Sequence, residues 1–309
     1  MVEDEIKVSI YCLAYNHGPY IRQCLDGFVN QKTDFKYEVI VHDDASTDDT
    51  AKIIKEYADR YPYVIKPIYQ TENQYSKGVV ITKQIIIPKM RGKYVAVCEG
   101  DDYWCDEHKL QKQADIMDNN PDFSACVHQT KLIDCLSGNK SLISPFNKTG
   151  IIDKNRIFSN VATLVHTSSL FYRRSALDNL PEFCYISKSV GDYPFEIHLA
   201  LLGPIYYINE VMSVYRLFTA SSWSLKQKND KSHIPFYKEM IAILESADKC
   251  SDYKYHECFD IPILEYEYRC WKENPKFLLI SNERFHKLKF TKKIKLIFRA
   301  AINKIKNMF

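Results

Sequence analysis

The stretch Val95-Ala96-Val97-Cys98-Glu99-Gly100-Asp101-Asp102-Tyr103-Trp104 ends an apolar, strand-like run in three carboxylates within four residues. Carboxylates crowded in this way repel one another and raise each other's pKa, and hard oxygen ligands of this kind suit Mg²⁺ or Mn²⁺. A divalent ion is the simplest resident. The competing reading is a helix N-terminus, with Asp101 and Asp102 capping the apolar run around Leu110, Ala114 and Met117. The segments on either side bear on the choice.

Upstream the same pattern recurs. Lys7 to Ala14 reads as a mostly buried strand, followed by the turn Tyr15-Asn16-His17-Gly18-Pro19 and by Ile21, Leu25, Phe28 and Val29 at helical spacing. Tyr37 to Val41 is a second short β-rich run, ended by His42-Asp43-Asp44-Ala45-Ser46-Thr47-Asp48-Asp49-Thr50. Ala51, Ile54 and Ala58 then mark a helix with Ser46 or Thr47 as N-cap. A third strand over Val64 to Tyr69, a helix-like segment near Thr82 to Ile87 and the strand Tyr94 to Val97 complete the series. Strands alternating with helices predict βαβ units on a mainly parallel sheet. Ligands of such sheets sit outside the carboxyl ends of the strands. Tyr15-Asn16, Asp43-Asp44 and Asp101-Asp102 each fall just past a strand end, so they are expected on one rim. For Asp43 and Asp44, turn and capping chemistry is the alternative.

Downstream, a helix from about Lys109 to Asp118 leads to a strand over Phe123 to His128, and residues 129 to 165 read as irregular. Ser168 to Tyr172 looks like a strand, with a short helix starting at Arg173-Arg174-Ser175. Val190-Gly191-Asp192-Tyr193-Pro194 opens an apolar helix holding Ile197, Ala200 and Leu201. Pro204 to Ile208 and Val211 to Tyr215 read as two short strands, and from about His233 the chain reads helical, without internal repeats.

The 309 residues are 46% hydrophobic and 26% charged, an ordinary globular composition. Ten cysteines are scattered without a CxxC pair or zinc spacing. Cys12, Cys98 and Cys126 lie in apolar runs as small core residues. The acidic start Met1-Val2-Glu3-Asp4-Glu5 runs straight into a strand, and no apolar run of about 18 residues follows. A reducing, cytoplasmic location is expected. The net charge of +3 is uneven: residues 281 to 309 hold seven Lys and two Arg against Glu283, which leaves the rest of the chain at −5.

Together these residues resemble the family 2 glycosyltransferases of GT-A fold, particularly bacterial enzymes of capsular, lipopolysaccharide or exopolysaccharide synthesis. The resemblance runs from Val8 to about Ser224 through Ala14-Tyr15-Asn16, Asp43-Asp44-Ala45-Ser46-Thr47-Asp48, Glu72-Asn73-Gln74, Arg91-Gly92-Lys93-Tyr94, Glu99-Gly100-Asp101-Asp102-Tyr103-Trp104, Gly191-Asp192 and Val214-Tyr215-Arg216. It implies a Rossmann-like α/β domain with a mainly parallel sheet flanked by helices and a C-terminal helical extension. Residues 1 to 128 would bind the nucleotide-sugar, 129 to 226 the acceptor, and 227 to 309 would form the extension. It also implies roles: Tyr15 and Asp44 for base and ribose, Asp101 near the ribose, Asp102 as metal ligand for Mn²⁺ or Mg²⁺, and Asp192 as catalytic base. Lys83 falls where the family often has a cation reaching the diphosphate, a solvated helix face being the alternative. For Asp192 the alternative is an N-cap. The family's usual Glu-Asp pair is Gly191-Asp192 here. A second departure is Phe218, which stands two residues after Arg216, where members commonly carry a metal-binding His. Water and the diphosphate would then complete the shell, or metal binding is weaker. Arg216 or the Ser221-Ser222-Trp223-Ser224 loop is a candidate to compensate, with purely local packing of that loop as the alternative.

The chemistry of the set is self-consistent. A divalent ion offsets charge growing on a departing nucleoside diphosphate, and a carboxylate removes the proton from an attacking acceptor hydroxyl. One such displacement inverts the anomeric carbon. Cys98 and Cys105 flank the acids without an activating His. His166 and His198 read as satisfied polar residues by the acceptor region, and Arg173 and Arg174 as a helix cap rather than a phosphate site. Phe290, Ile294, Ile297, Phe298, Ala301, Ile302 and Ile305 share one helical face, with lysines and arginines on the flanks. That is the pattern of an interfacial helix on anionic lipid or of a helix packed on the domain. No nucleic-acid motif accompanies the charge. The expected activity is metal-dependent, inverting sugar transfer from a nucleotide-sugar, UDP ahead of GDP or dTDP, to a glycan or lipid-linked saccharide by a peripheral enzyme at the inner face of the membrane. The alternatives are a sugar nucleotidyltransferase, for which Val8 to Gly18 lacks a Gly-rich basic loop, and a silent membrane-bound scaffold.

Overall fold

Val8, Ile10, Cys12 and Ala14 are all buried, and they form the inner face of the first strand, β1 (Ile6–Ala14). A computed structural model describes residues 5–187, 190–220, 222–230, 232–274 and 286. After β1 come α1 (Gly18–Val29), β2 (Lys36–Asp43), α2 (Thr50–Arg60), β3 (Ile65–Tyr69) and β4 (Tyr94–Val97), the βαβ order expected from the alternating patterns. β3, β2, β1 and β4 lie side by side and parallel, with Ala14 opposite Asp43 and Tyr11 opposite Val97. Ile21, Cys24, Leu25 and Phe28 of α1 and Ile53, Ile54 and Tyr57 of α2 are their buried faces.

The sheet continues through β9 (Phe171–Arg173), β6 (Ala125–Asp134), β10 (Ile205–Leu217) and β5 (Tyr103–Trp104); β6 and β10 are parallel, while β9 and β5 run antiparallel to their neighbours. β7 (Lys140–Leu142) adds to β6 and β8 (Gly150–Ile151) to β10. α3 (Lys109–Asn119) buries Leu110, Ala114 and Met117. Its N-cap position is His108, so Asp101 and Asp102 do not cap it. The sheet is thus mixed but mainly parallel and flanked by helices, as expected.

Several boundaries differ from the sequence reading, each for a local reason. The two strands expected over 204–215 are one, because bulges between Ile208 and Ser213 absorb the exposed Asn209, Glu210 and Val211 without breaking the pairing to β6. Residues 129–134 continue β6, and the strand expected at Ser168 begins at Phe171, after a 3₁₀ turn over Thr167–Ser169. The N-cap position of α2 is Asp49 rather than Ser46 or Thr47.

Gly92 shows why Arg91-Gly92 precedes β4: a Cβ there would lie 2.4 Å from Ser9 N. The same crossing is fixed by a polar knot on the buried Glu38, in which Ser9 Oγ donates to Glu38 Oε1 (2.8 Å) and the exposed Arg91 donates through Nε and Nη2 to Glu38 Oε2 (2.9 and 2.6 Å).

The described residues divide into two compact units, one drawn from residues 1–154, 163–180 and 199–228 and the other from residues 155–162, 181–198 and 229–309. The first holds the sheet. In the second, α7 (Ile234–Cys250) packs Met240, Ile243, Leu244 and Ala247, and α8 (His256–Glu273) packs Phe259, Ile263, Tyr266 and Trp271, into its core, with Phe158 stacked on Phe259 at 4.9 Å. All ten cysteines are free thiols. No helix among the described residues is long and apolar enough to cross a membrane. The basic segment 281–309, His286 apart, lies outside the described residues.

Candidate active site

Parallel alignment of β1, β2 and β4 brings their C-terminal loops to one edge. The first two loops are tied to each other: Asn16 N donates to Ser46 Oγ (2.9 Å), Asn16 Oδ1 accepts from Thr47 N (2.9 Å), and His17 N donates to Thr50 Oγ1 (2.8 Å). Asn16 and Ala45 hold left-handed backbones, φ 55° and 61°. For Ala45 that is a strained choice, of the kind that clusters at functional loops. Tyr15, 39% exposed, stands on this edge. Asp44 is buried, its two carboxylate oxygens accepting from Gln74 N (2.7 Å) and Tyr75 N (3.0 Å), so it anchors the 73–75 turn.

After β4 the chain passes Gly100, where a Cβ would lie 2.8 Å from His17 Nδ1 and 3.2 Å from the Ala14 side chain. The close approach sets Asp101 and Asp102 against the β1 loop. Both are buried. β5 then pairs Tyr103 with Val214, and that register carries Asp102 to Arg216, whose backbone N donates to Asp102 Oδ1 (2.8 Å). The Arg216 guanidinium donates to Asp101 O (2.5 Å) and to Gln23, over the ring of Tyr103 at 4.5 Å. Among the described residues neither carboxylate is ion-paired with a lysine or arginine. Beyond β10, Phe218 adopts φ 65°. This turn delivers Thr219 Oγ1 to Asp101 Oδ2 (2.7 Å). Phe218 N donates to Ser224 Oγ (3.2 Å), and Ser222 Oγ donates to Thr219 O (2.9 Å), so the described part of this loop is packed locally before α6 (Trp223–Asn229).

Burial, with Asp101 next to it, pushes the Asp102 carboxyl well above the usual carboxylate range. Two histidines face the pair: His17 Nε2 is 4.0 Å from Asp101 Oδ2, and His166 Nε2 is 3.7 Å from Asp102 Oδ2. Burial lowers both imidazoles, His166 to about 4, so they are neutral at neutral pH. His17 Nδ1 is buried without a hydrogen-bond partner. Among the described residues no group of three or more His, Cys, Asp or Glu side chains converges as a metal site.

The remaining expected residues are Lys83 and Asp192. Lys83 is exposed on a single π-helical turn, Thr82–Ile86, between β3 and β4. Asp192 belongs to the second unit and opens α5 (Asp192–Leu202). Its Oδ1 accepts from Tyr193 N (2.8 Å), and desolvation raises its carboxyl above the usual value. Arg173 donates to the C-terminal end of α3, through Nη2 to Met117 O (2.9 Å) and Asn120 O (3.0 Å), and so caps that helix.

Residues 9–180 match the sequence profile of Glycosyl transferase family 2. The chain belongs to that family. Uncharacterized protein Rv1520 of Mycobacterium tuberculosis is 36% identical over 218 residues, 70% of this chain and 60% of that one. Chondroitin synthase of Escherichia coli is 31% identical over 206 residues, 66% of this chain and 28% of that one. This family 2 chain therefore spans less than two thirds of these relatives. Among solved structures, S. aureus TarS 1-349 in complex with UDP-GlcNAc superposes with a TM-score of 0.65 at 21% identity, over 94% of this chain and 79% of that one. The mannosyltransferase PcManGT from Pyrobaculum calidifontis, in complex with GDP-Man and Mn²⁺, superposes with a TM-score of 0.57 at 18% identity, over 96% and 80%. The fold is the GT-A fold of these glycosyltransferases.

Three groups at this family 2 rim escaped the sequence reading: His17, Thr219 and His166. His17 was legible as part of the first loop, one residue past Tyr15-Asn16. Thr219 and His166 reach the acids through the far half of the sheet, and no local pattern marks them.

Proposed function

We propose that this chain is a metal-dependent, inverting glycosyltransferase that moves a sugar from a nucleoside-diphosphate donor, UDP ahead of GDP or dTDP, to a hydroxyl of a glycan or lipid-linked saccharide. One observation carries the reading: two adjacent buried carboxylates lie at the carboxyl edge of the parallel strands, oriented by Arg216 and Thr219 but, among the described residues, in no ion pair with a lysine or arginine. Such a pair calls for a cation. The donors fit an ion that arrives with a diphosphate and keeps water in its shell, rather than one caged by protein alone. The UDP-GlcNAc of the TarS complex and the GDP-Man and Mn²⁺ of the mannosyltransferase complex support this choice.

In this reading residues 1–128 hold the nucleotide and 129–226 the acceptor. Tyr15 stacks on the base, Asp44 takes a base hydrogen bond on a lone pair its backbone partners leave open, and Asp101 meets the ribose. Lys83 reaches the diphosphate, and Asp102 holds the ion. The ion, when bound, offsets the charge developing on the leaving diphosphate oxygen. Asp192 takes the proton of the acceptor hydroxyl as it attacks from the opposite face, and a carboxyl raised by desolvation is the better base. The basic tail sits on an anionic membrane surface from the cytoplasmic side, and the product enters a cell-surface polysaccharide. The relative named chondroitin synthase supports the last step.

The test is Asp192→Asn with UDP-sugars. Turnover should fall at least about a hundredfold while nucleotide binding persists, and the wild-type product should carry the anomeric configuration opposite to the donor's. Retained turnover, or retained configuration, would remove Asp192 as the base.

A further inference from the structure

Asp102 gives one carboxylate oxygen to Arg216 N, and its other, Oδ2, is turned toward His166 Nε2 at 3.7 Å. That distance is too long for a hydrogen bond. It falls between the limits for two ligands of one ion, since donors each about 2.1 Å from a shared cation stand roughly 3 Å apart at a right angle and about 4.2 Å apart when opposed, so a small shift of either side chain seats both on one ion. We propose that His166 Nε2 is the second protein ligand of the divalent ion whose first is Asp102. The proposal rests on the metal-dependent reading above and adds to it a residue that neither the sequence pattern nor the rim geometry had assigned.

The imidazole is built into place as a ligand would be. Its ring stacks on Tyr215 at 4.2 Å with an interplanar angle of 28°. Nδ1 lies 2.8 Å from Ser168 Oγ, which lies 2.8 Å from Ser213 Oγ, itself 2.9 Å from Thr130 Oγ1. The turn that carries it is pinned from below, by Trp104 Nε1 donating to Ser168 O (3.0 Å) and Gln113 Nε2 donating to Ser169 O (3.0 Å). An imidazole that binds metal through Nε2 keeps its proton on Nδ1 and donates it to an orienting neighbour. Ser168 Oγ is such a neighbour, because it can accept a hydrogen bond from that N–H and donate its own O–H to Ser213 Oγ. In this structure Nδ1 accepts from Ser168 N (3.2 Å), and the rearrangement exchanges that capping hydrogen bond for the ion. Without an ion, the other tautomer turns an Nε2–H toward Asp102, so His166 serves the site in both states.

The assignment also gives a place to Phe218. The chain has no ligating atom at that position, whose left-handed turn instead brings Thr219 to Asp101. The nitrogen donor comes from the turn before β9 and faces the Asp102 oxygen that the Arg216 backbone does not engage. A nitrogen ligand favours Mn²⁺ over Mg²⁺, which prefers oxygen.

The deciding experiment is pulsed EPR of the full chain with Mn²⁺ plus UDP and, separately, plus GDP. The wild-type spectrum should show the ¹⁴N coupling of a directly bound imidazole. In His166→Gln that coupling should vanish and Mn²⁺ affinity should fall at least about tenfold, while Asp102→Asn should lose the ion altogether. Mn²⁺ bound in an Asp102-dependent way without ¹⁴N coupling, or with affinity within about twofold in His166→Gln, overturns the His166 assignment alone. No Mn²⁺ binding with either nucleotide overturns both it and the metal-dependent reading.

Discussion

At the scale of single residues, Asp102 meets opposed demands: burial and Asp101 disfavour its charge, while its proposed work needs that charge. Asp102→Asn should therefore separate stability from function. The amide keeps an acceptor for Arg216 N, relieves the crowding, and should raise the melting temperature of the metal-free protein by about 2–4 °C, the equivalent of roughly 1 kcal/mol. Transfer should drop by about two orders of magnitude or more. Differential scanning fluorimetry beside a turnover assay checks both. Asp192 carries a pH prediction. A general base works deprotonated, so kcat/KM should fall as pH drops through its pKa, and a raised carboxyl places that acid limb above the ordinary value of about 4. A pH–rate profile flat down to pH 4 would contradict it. Asp44, Asp101 and Asp102 were legible because each follows a short apolar run that reads as a strand. His166 was not, since its meaning depends on Asp102, Ser168 and Ser213 meeting across three separate segments.

At the scale of elements, α3 carries a buried lysine beneath the site. Lys109 is fully buried, 4.0 Å over the Trp104 ring and bonded to Gln113 Oε1 (2.7 Å), and burial lowers it to about 7. The unfolded chain keeps the proton to about 10.4. The group thus destabilises the fold fully below pH 7, and the penalty fades as pH rises from 7 toward 10. Lys109→Met should stabilise by on the order of 1–4 kcal/mol at pH 7 and by clearly less at pH 9.5, measured by urea unfolding at both. A gain independent of pH would place the effect in packing rather than charge. Gly92→Ala should cost about 3 kcal/mol or more, since the new Cβ meets β1 backbone at 2.4 Å and no side chain is there to yield. The helices of residues 6–119 were readable from periodicity, because each has one buried face, and the parallel strands from short apolar runs, because β2 and β4 are buried on both faces. β10 was not, because the exposed Asn209 and Glu210 look like a turn until β6 is seen to hold both sides of the bulge.

At the scale of the whole molecule, the parallel sheet gathers Tyr15, Asp44, Asp101 and Asp102 to one edge, and the far strands add Arg216, Thr219 and His166. Family membership, the GT-A fold and the rim were all legible in sequence, because strand ends fix where loops meet. The acceptor is a matter of pocket shape, which no pattern encodes. The basic segment 281–309 predicts binding of the full chain to anionic vesicles, lost at high salt as surface charge is screened. Vesicle flotation with and without that segment checks it. The donor site is tested most directly by melting the protein with UDP, GDP, dTDP or CMP, each with and without Mn²⁺, for wild type and Asp102→Asn. At saturating ligand, one nucleoside diphosphate should raise the wild-type melting temperature by about 5 °C or more only when Mn²⁺ is present, and Asp102→Asn should lose most of that rise. No shift with any nucleotide, with or without the ion, would contradict the account.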